Sequence, residues 1–268
     1  MKKVAYSEQK WGKISKINMY FRFNMKSLRI LVSFIIIFIL QSCAVRSVQI
    51  LSDEDTTLNL SKQGLTEIPE KVFENKQLKV LKLFGNNLDS LPARIGELEN
   101  LEELQIGSNH LTSLPSEIGK LKKLKILSVQ YNDLQSLPPE IGQMENLEQL
   151  WLNQNQLQTL PSEIGQLKNL VKLQVEFNSL TTIPPEIGNC EGLKFIYLRR
   201  NNLIAIPEEL GNLHHLKEIY LAGAGILVDV PESFCNMRYL EILEVDNTTA
   251  IPACLYVYVA NRLKIIQK

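Results

Sequence analysis

From residue 55 onward, the sequence repeats a fixed frame of apolar residues every 23 residues. The frame begins at residues 55, 78, 101, 124, 147, 170 and 193, again at Leu216 and, in a degraded form, at Leu240. A constant period of this length predicts a solenoid, in which each repeat packs on its neighbours and the product is a shaped surface. In residues 101–123 the frame consists of Leu101, Leu104, Ile106, Asn109, Leu111, Leu114, Pro115, Ile118, Gly119 and Leu121.

Each repeat divides into a strand-like half and a return half. The opening Leu-x-x-Leu-x-Leu alternates apolar and polar residues, which predicts a short strand with one buried face and parallel pairing between repeats. A Leu-Pro or Ile-Pro pair follows, and then Glu-Ile-Gly, which we interpret as a short helical or 3-10 segment. Between the halves an asparagine recurs, and we expect it to bond buried backbone groups in a ladder formed by Asn86, Asn109, Asn132, Asn155, Asn178 and Asn201.

This frame resembles the bacterial leucine-rich repeat with the consensus LxxLxLxxNxLxxLPxEIGxLxx, which is also similar to the intracellular Ras-group repeats of plants and animals. The resemblance covers residues 55–239 strongly and residues 240–268 weakly. It implies an α/β solenoid of about nine repeats, a horseshoe with a parallel concave β-sheet and short helical or 3-10 segments on its convex side. It also implies that the concave face binds another protein, without specifying which one.

Departures from the frame indicate the ends of the solenoid. Gln63 replaces the asparagine in the first repeat, and Ala224 replaces it in the eighth, which also has one extra residue before Pro231. We therefore interpret residues 55–239 as eight repeats and residues 240–268 as a degenerate repeat and a C-terminal cap, because a solenoid must cover its last apolar edge.

The N-terminal residues show the order of features of a bacterial lipoprotein signal peptide. The apolar run at residues 30–40 follows Lys26 and Arg29 and is too short to span a bilayer. Leu40-Gln41-Ser42-Cys43 then resembles a lipobox, whose cysteine becomes the acylated N-terminus. We therefore predict lipid attachment at Cys43, while the true start, Met1 or Met25, stays open. The predicted segments are an upstream extension or disordered n-region at residues 1–24, a signal peptide at 25–42 and a tether at 43–54.

Charge and motif content argue against several classes of function. Residues 43–268 carry 21 basic and 28 acidic residues, a net charge of −7, whereas phosphate binding needs a basic footprint. The sequence has no GxxxxGK[ST], HExxH or GxSxG motif, and its cysteines and histidines lack the spacing of metal ligands. We therefore expect no catalytic, cofactor or metal site and no nucleic-acid partner. Cys190 should be a buried core residue, and a disulfide between Cys235 and Cys254 is left open.

Residues that differ between repeats fall on the predicted concave face and its rim. Aromatic and arginine side chains accumulate there in the central and later repeats, and these types are enriched at interface hot spots. For Tyr131 and Phe177, the alternative is that each ring merely packs on the neighbouring repeat. The predicted ligand-binding residues are Trp151, Tyr197, Tyr220, Arg199, Arg200, Tyr131, Phe177, Phe195 and Gln174.

These features together predict a lipid-anchored protein of the bacterial cell envelope that binds an envelope or host protein. Ala44, where aspartate would favour inner-membrane retention, favours the outer membrane or cell surface. Two alternatives remain: a carbohydrate- or wall-binding module, because aromatic platforms also stack on sugars, and a cytoplasmic adaptor if the signal is misinterpreted. The pattern leaves the oligomeric state open.

Overall fold

A computed structural model describes residues 55–259 and 262–268. In this part of the chain, ten short strands form one sheet, and each strand pairs in parallel with the next strand along the chain. This arrangement confirms the predicted leucine-rich repeat solenoid. The strands are β1 (Thr57–Asn59), β2 (Val80–Lys82), β3 (Glu103–Gln105), β4 (Ile126–Ser128), β5 (Gln149–Trp151), β6 (Lys172–Gln174), β7 (Phe195–Tyr197), β8 (Glu218–Tyr220), β9 (Ile242–Val245) and β10 (Lys264–Gln267).

The return half of each of the first eight repeats contains a 3-10 turn that starts directly after a proline. Pro115 has φ −69° and ψ 150°, an extended conformation that directs the chain into the turn. The turn closes when the N–H of Leu121 donates to the carbonyl oxygen of Ile118, 3.1 Å away. The turns are Glu70–Glu74, Ala93–Glu97, Ser116–Lys120, Pro139–Gln143, Ser162–Gln166, Pro185–Asn189, Glu208–Asn212 and Glu232–Asn236.

Six of these eight turns contain a glycine that the contact between repeats requires. A Cβ atom on Gly165 would lie only 2.3 Å from the carbonyl oxygen of Glu186 in the following turn. The absence of a side chain at this position therefore lets adjacent turns touch. Between the turns and the sheet, the frame residues form one continuous core, in which Leu104 and Ile106 are fully buried.

The C-terminal end departs from the repeated pattern. Helix α1 (Ala253–Val259) replaces the 3-10 turn, and β10 extends the sheet with Lys264 opposite Ile242. A cap was predicted here, but its strand was not, because residues 264–267 carry none of the frame leucines. The structure pairs Cys235 with Cys254 in a disulfide, with the two Cα atoms 5.8 Å apart, a separation typical of disulfides.

Cys190 is buried, as expected for a core position, and burial raises the pKa of its thiol to about 12. Within the described residues, none of the helices has both the length and the hydropathy that crossing a membrane requires. The predictions for residues 1–54, including lipid attachment at Cys43, lie outside the described part of the chain.

Candidate ligand-binding face

The asparagines of the frame support the turn that leaves each strand. Asn132 accepts a hydrogen bond from the N–H of Leu111 at 3.0 Å and donates to the carbonyl oxygens of Ile106 and Val129 at 3.1 and 3.0 Å. These backbone groups would otherwise be buried without partners. The equivalent bonds recur at Asn86, Asn109, Asn155, Asn178 and Asn201.

A second asparagine ladder, which the sequence analysis missed, lies at the last position of the frame. The amide groups of Asn100, Asn146 and Asn169 donate to backbone carbonyl oxygens of the preceding repeat at 2.7 to 2.8 Å. The signal was the same 23-residue recurrence. The concave face therefore rests on a backbone that is fixed on both sides of each strand.

Just before the frame asparagine, every repeat from the first to the eighth has a residue with positive φ. We call these residues the left-handed row. Glycine adopts this conformation freely, whereas other residues pay about 1 kcal/mol. Tyr131 and Phe177 belong to the row although these residues are 47% and 46% exposed, so packing offsets little of that cost. The full row is Lys62, Gly85, Ser108, Tyr131, Gln154, Phe177, Arg200 and Gly223.

Two predicted site residues, Tyr197 on β7 and Tyr220 on β8, form a stacked pair that we call the tyrosine pair. Their ring centroids are 4.9 Å apart and the ring planes differ by 9°, since paired strands place the two rings side by side. The Nζ atom of Lys172 lies 5.5 Å from the Tyr197 ring centroid, and the guanidinium of Arg199 lies 4.2 Å from that of Tyr220. Because each inner ring face is occupied by the other ring, the two cations cover the outer faces.

Arg199 also belongs to a group of charges that we call the C-terminal ion cluster, formed by Glu176, Arg199, Glu244 and Lys268. Two nitrogens of Arg199 donate to the two carboxylate oxygens of Glu244 at 2.5 and 2.8 Å, and a third donates to Glu176 at 3.2 Å. Lys268 reaches Glu244 from the cap at 3.0 Å. The Glu244 side chain is only 2% exposed. The hydrogen bond from Arg199 lowers the pKa of Glu244 although burial opposes this, and it raises the pKa of Arg199.

The hydroxyl groups of the tyrosine pair lie beside Glu218. The Tyr220 hydroxyl donates to the Glu218 carboxylate at 2.9 Å. Burial, followed by this bond, raises the pKa of Tyr220 to about 12, and burial also raises the pKa of Tyr197. Both rings therefore stay neutral at physiological pH and offer apolar surface, and the Tyr220 hydroxyl, which donates to Glu218, can still accept a hydrogen bond.

Trp151 on β5 is half-buried, so it contributes to packing as well as to the surface. It lies opposite Ser128 and Gln174 in the sheet, and the burial of Ser128 to 3% exposure indicates that a neighbouring side chain covers it. Among the described residues, the Trp151 Nε1 atom has no hydrogen-bond acceptor and is itself buried. The tryptophan is thus less accessible than the sequence prediction assumed.

The remaining predicted residues fall into separate groups. Phe195 lies on β7 with Lys172 at 6.0 Å from its ring centroid, close to the tyrosine pair. The Arg200 guanidinium lies 5.4 Å from the ring centroid of Phe177. An open depression of about 570 Å³ is lined by Arg200 and Asp246 together with two members of the ion cluster, Arg199 and Lys268. Within the described residues, no aromatic or cation–π contact joins Tyr131 to the others.

Two family models match these repeats. The model described as "Leucine-rich repeat region" matches residues 116–196, and the model described as "Leucine rich repeat" matches residues 56–111 and 168–226. Their matches together extend over most of the described chain. The chain is a leucine-rich repeat protein. No curated protein sequence matches this leucine-rich repeat chain.

Solved structures share the fold of this leucine-rich repeat protein. A leucine-rich repeat protein of Leptospira interrogans is 33% identical with a TM-score of 0.73, and the match covers 84% of this chain and 63% of that one. The Arabidopsis receptor kinase HAESA, solved with the peptide hormone IDA and the co-receptor SERK1, is 29% identical with a TM-score of 0.67, and the match covers 79% and 37%.

The leucine-rich repeat domain of the type III effector XopL has a TM-score of 0.74 with 85% and 80% coverage, but at 22% identity it supports the fold alone. From the coverages of 63% and 37%, the present chain spans less than two thirds of the Leptospira protein and of HAESA. Protein binding is the general function that the family match and the peptide-bound HAESA structure support.

Proposed function

We propose that this leucine-rich repeat protein binds another protein through the concave face of its later repeats. The observation that carries the proposal is the preassembled group of Tyr197, Tyr220 and Arg199 on adjacent repeats. Aromatic and arginine side chains dominate interface hot spots, and side chains that are already ordered lose less entropy when a ligand binds. The peptide complex of HAESA supports the same class of ligand.

The orientation of the rings favours a protein ligand over a carbohydrate. A sugar stacks on a free aromatic face, but both faces of the tyrosine pair are covered, inside by the other ring and outside by Lys172 or Arg199. What remains for a ligand is ring edges, hydroxyl groups and the neighbouring cations. These groups suit the mixed polar and apolar surface of a polypeptide.

The binding proposal can be tested with linear peptides selected from a phage-displayed library on the full chain. The affinity of one selected peptide, made synthetically, is then measured for wild type and variants. We expect Trp151→Ala combined with Tyr197→Ala to cost about 2 kcal/mol or more in binding. Because Trp151 is half-buried, circular dichroism must first show that the variant is folded.

The matched control combines Tyr239→Ala with Tyr256→Ala, two tyrosines that are 58% and 55% exposed and lie outside the sheet. We expect this control to bind like wild type. Equal affinity of the wild type and the Trp151/Tyr197 variant would show that the peptide does not bind at the proposed site.

We further propose that Cys43 carries a lipid that anchors the protein in a bacterial envelope, at the outer membrane or cell surface. The charge, apolar run and lipobox-like order of residues 26–43 support this location. The Cys235–Cys254 disulfide also supports export, because disulfides persist in oxidising compartments. The constant 23-residue frame supports assignment to the bacterial repeat class.

Mass spectrometry of the protein from its native host, combined with detergent phase partitioning, tests the anchor. We expect a mature N-terminus at Cys43 that carries acyl chains and partitions into detergent, and a Cys43→Ser variant that does neither. An unlipidated protein that begins at Met1 or Met25 would instead favour a cytoplasmic or signal-anchored adaptor.

A further inference from the structure

The C-terminal ion cluster connects the candidate binding face to the cap. Most polar contacts in the solenoid join adjacent repeats, but Arg199 and Glu244 are 45 residues apart and bridge two repeat intervals. On one side the Arg199 guanidinium covers the ring of Tyr220, and on the other it is held by both oxygens of Glu244. The position of the arginine is therefore set by the carboxylate.

Glu244 is in turn held by the cap. It lies on β9, with its side chain almost fully buried, and Lys268 supplies the second cation at 3.0 Å. Lys268 is fixed by the backbone, because its N–H donates to the Val245 carbonyl oxygen at 3.1 Å and its own carbonyl oxygen accepts from Asn247 at 2.9 Å. A buried carboxylate needs this many donors to remain charged.

We propose that Glu244 and Lys268 are positioning residues of the ligand-binding face, which hold Arg199 across Tyr220 and thereby fix the tyrosine pair before a ligand arrives. The inference rests on the proposed function for its effect on binding. Neither residue contacts a ligand in this account. A planar, two-pronged contact between guanidinium and carboxylate limits the arginine to few orientations, which is the basis of the positioning.

The chain supplies matched controls for both residues. Glu241 is in the same repeat as Glu244 and pairs with Lys217 at 2.9 Å, but this pair is exposed and lies away from Arg199. Lys264 begins the cap strand β10, Lys268 directly follows the end of that strand, and both are exposed. Glu244→Gln is therefore compared with Glu241→Gln, and Lys268→Ala with Lys264→Ala.

Near-ultraviolet circular dichroism measures the tyrosine pair without any ligand, because stacked rings give a signal that mobile rings lose. The Tyr197→Ala/Tyr220→Ala variant defines the signal without the pair. We expect Glu244→Gln and Lys268→Ala to approach that value, and Glu241→Gln and Lys264→Ala to retain the wild-type signal. Lys268→Arg, which keeps a cation beside Glu244, should restore it.

The selected synthetic peptide provides the second measurement. We expect Glu244→Gln to weaken its binding about tenfold, and Glu241→Gln to change it less than about twofold. If the buried Glu244→Gln variant fails to fold, the exposed Lys268→Ala substitution gives the same comparison.

Three results overturn the proposal: an unchanged tyrosine signal in both test variants, equal effects of test and control variants, or a lost signal with unchanged affinity. If no peptide binds wild type, the proposed function fails on its own, and the tyrosine signal still decides whether Glu244 positions the pair.

Discussion

The first four repeats and repeats seven to nine use the same frame but display different surfaces. Along β1 to β4, the fifth position of the frame holds Asn59, Lys82, Gln105 and Ser128, which are polar and small or flexible. Along β7 to β9, it holds Tyr197, Tyr220 and Glu244. The two tyrosines stack on each other, and Arg199 connects Tyr220 to Glu244. The irregular eighth and ninth repeats, the disulfide and α1 occur in the same later region.

This contrast separates the contacts that build the solenoid from those that specialise it. In the early repeats the ion pairs join neighbours, as when Glu102 accepts from both Lys79 and Lys125. Such exposed pairs add about 1 kcal/mol or less to stability. In the later repeats the contact between Arg199 and Glu244 extends across two repeat intervals and involves a buried carboxylate. Regularity therefore marks the scaffold, and long-range contacts mark the candidate site.

Breaking the scaffold should have the largest effect. Asn132→Ala removes one acceptor and two donations to buried backbone groups, so we expect a loss of about 3 kcal/mol in the free energy of unfolding. Urea denaturation measures this loss. Asn146→Ala, which removes one exposed bond, should cost about 1 kcal/mol or less. Similar losses for both variants would contradict the importance of the buried ladder.

Opening the cap should affect only the later region. Cys235 and Cys254 are 19 residues apart, and a disulfide closing such a loop contributes about 3 kcal/mol. We expect the Cys235→Ser/Cys254→Ser variant to lose hydrogen-exchange protection from residue 237 to residue 268, while the first five repeats stay protected. Loss of protection along the whole solenoid would show that the two regions unfold as one unit.

The ion cluster should make the later region sensitive to acid. The hydrogen bond from Arg199 holds the pKa of Glu244 below its ordinary value of 4.5 in the folded chain. The stabilisation is therefore complete above that value and is lost as pH falls through the lowered folded-state pKa. Urea titrations at several pH values measure how the free energy of unfolding depends on pH. Glu244→Gln should reduce this pH dependence, and Glu241→Gln should not. An unchanged dependence in Glu244→Gln would exclude Glu244 as its source.

The smallest expected effect concerns the left-handed row. Phe177 has φ 56°, and asparagine tolerates this conformation better than phenylalanine. We expect Phe177→Asn to change the free energy of unfolding by about 0.5 kcal/mol in the stabilising direction. Thermal unfolding can measure it, with Ser108→Asn, at φ 54°, as the control for the backbone position. A clear loss of stability would mean that the Phe177 ring contributes packing.

The fold was accessible from sequence because its determinants are local and repeated. Frame residues such as Leu104 and Pro115 indicate a buried strand position and the start of a turn from their residue type alone. Seven regular copies make the assignment of these positions unambiguous. The cap strand was not accessible, since Lys264 joins the sheet without the frame leucines. For the candidate site, the sequence could predict only which types of residue take part. The three-dimensional contacts of the site depend on side-chain reach, as between Arg199 and Glu244, and on burial, which makes Trp151 less exposed than expected.

The tight contact at Gly165 limits how such a gene can change length. Duplication or deletion of a whole 23-residue unit returns each glycine to a glutamate carbonyl oxygen, so unequal recombination between repeats yields foldable products. A shorter insertion shifts every later glycine unless a local bulge absorbs it. The eighth repeat carries such an insertion beside Gly225, whose φ of 148° and bridge to Leu203 no other residue could adopt without a clash. The array can therefore diversify by gain or loss of whole 23-residue units, and a glycine such as Gly225 accommodates an insertion that is shorter than one unit.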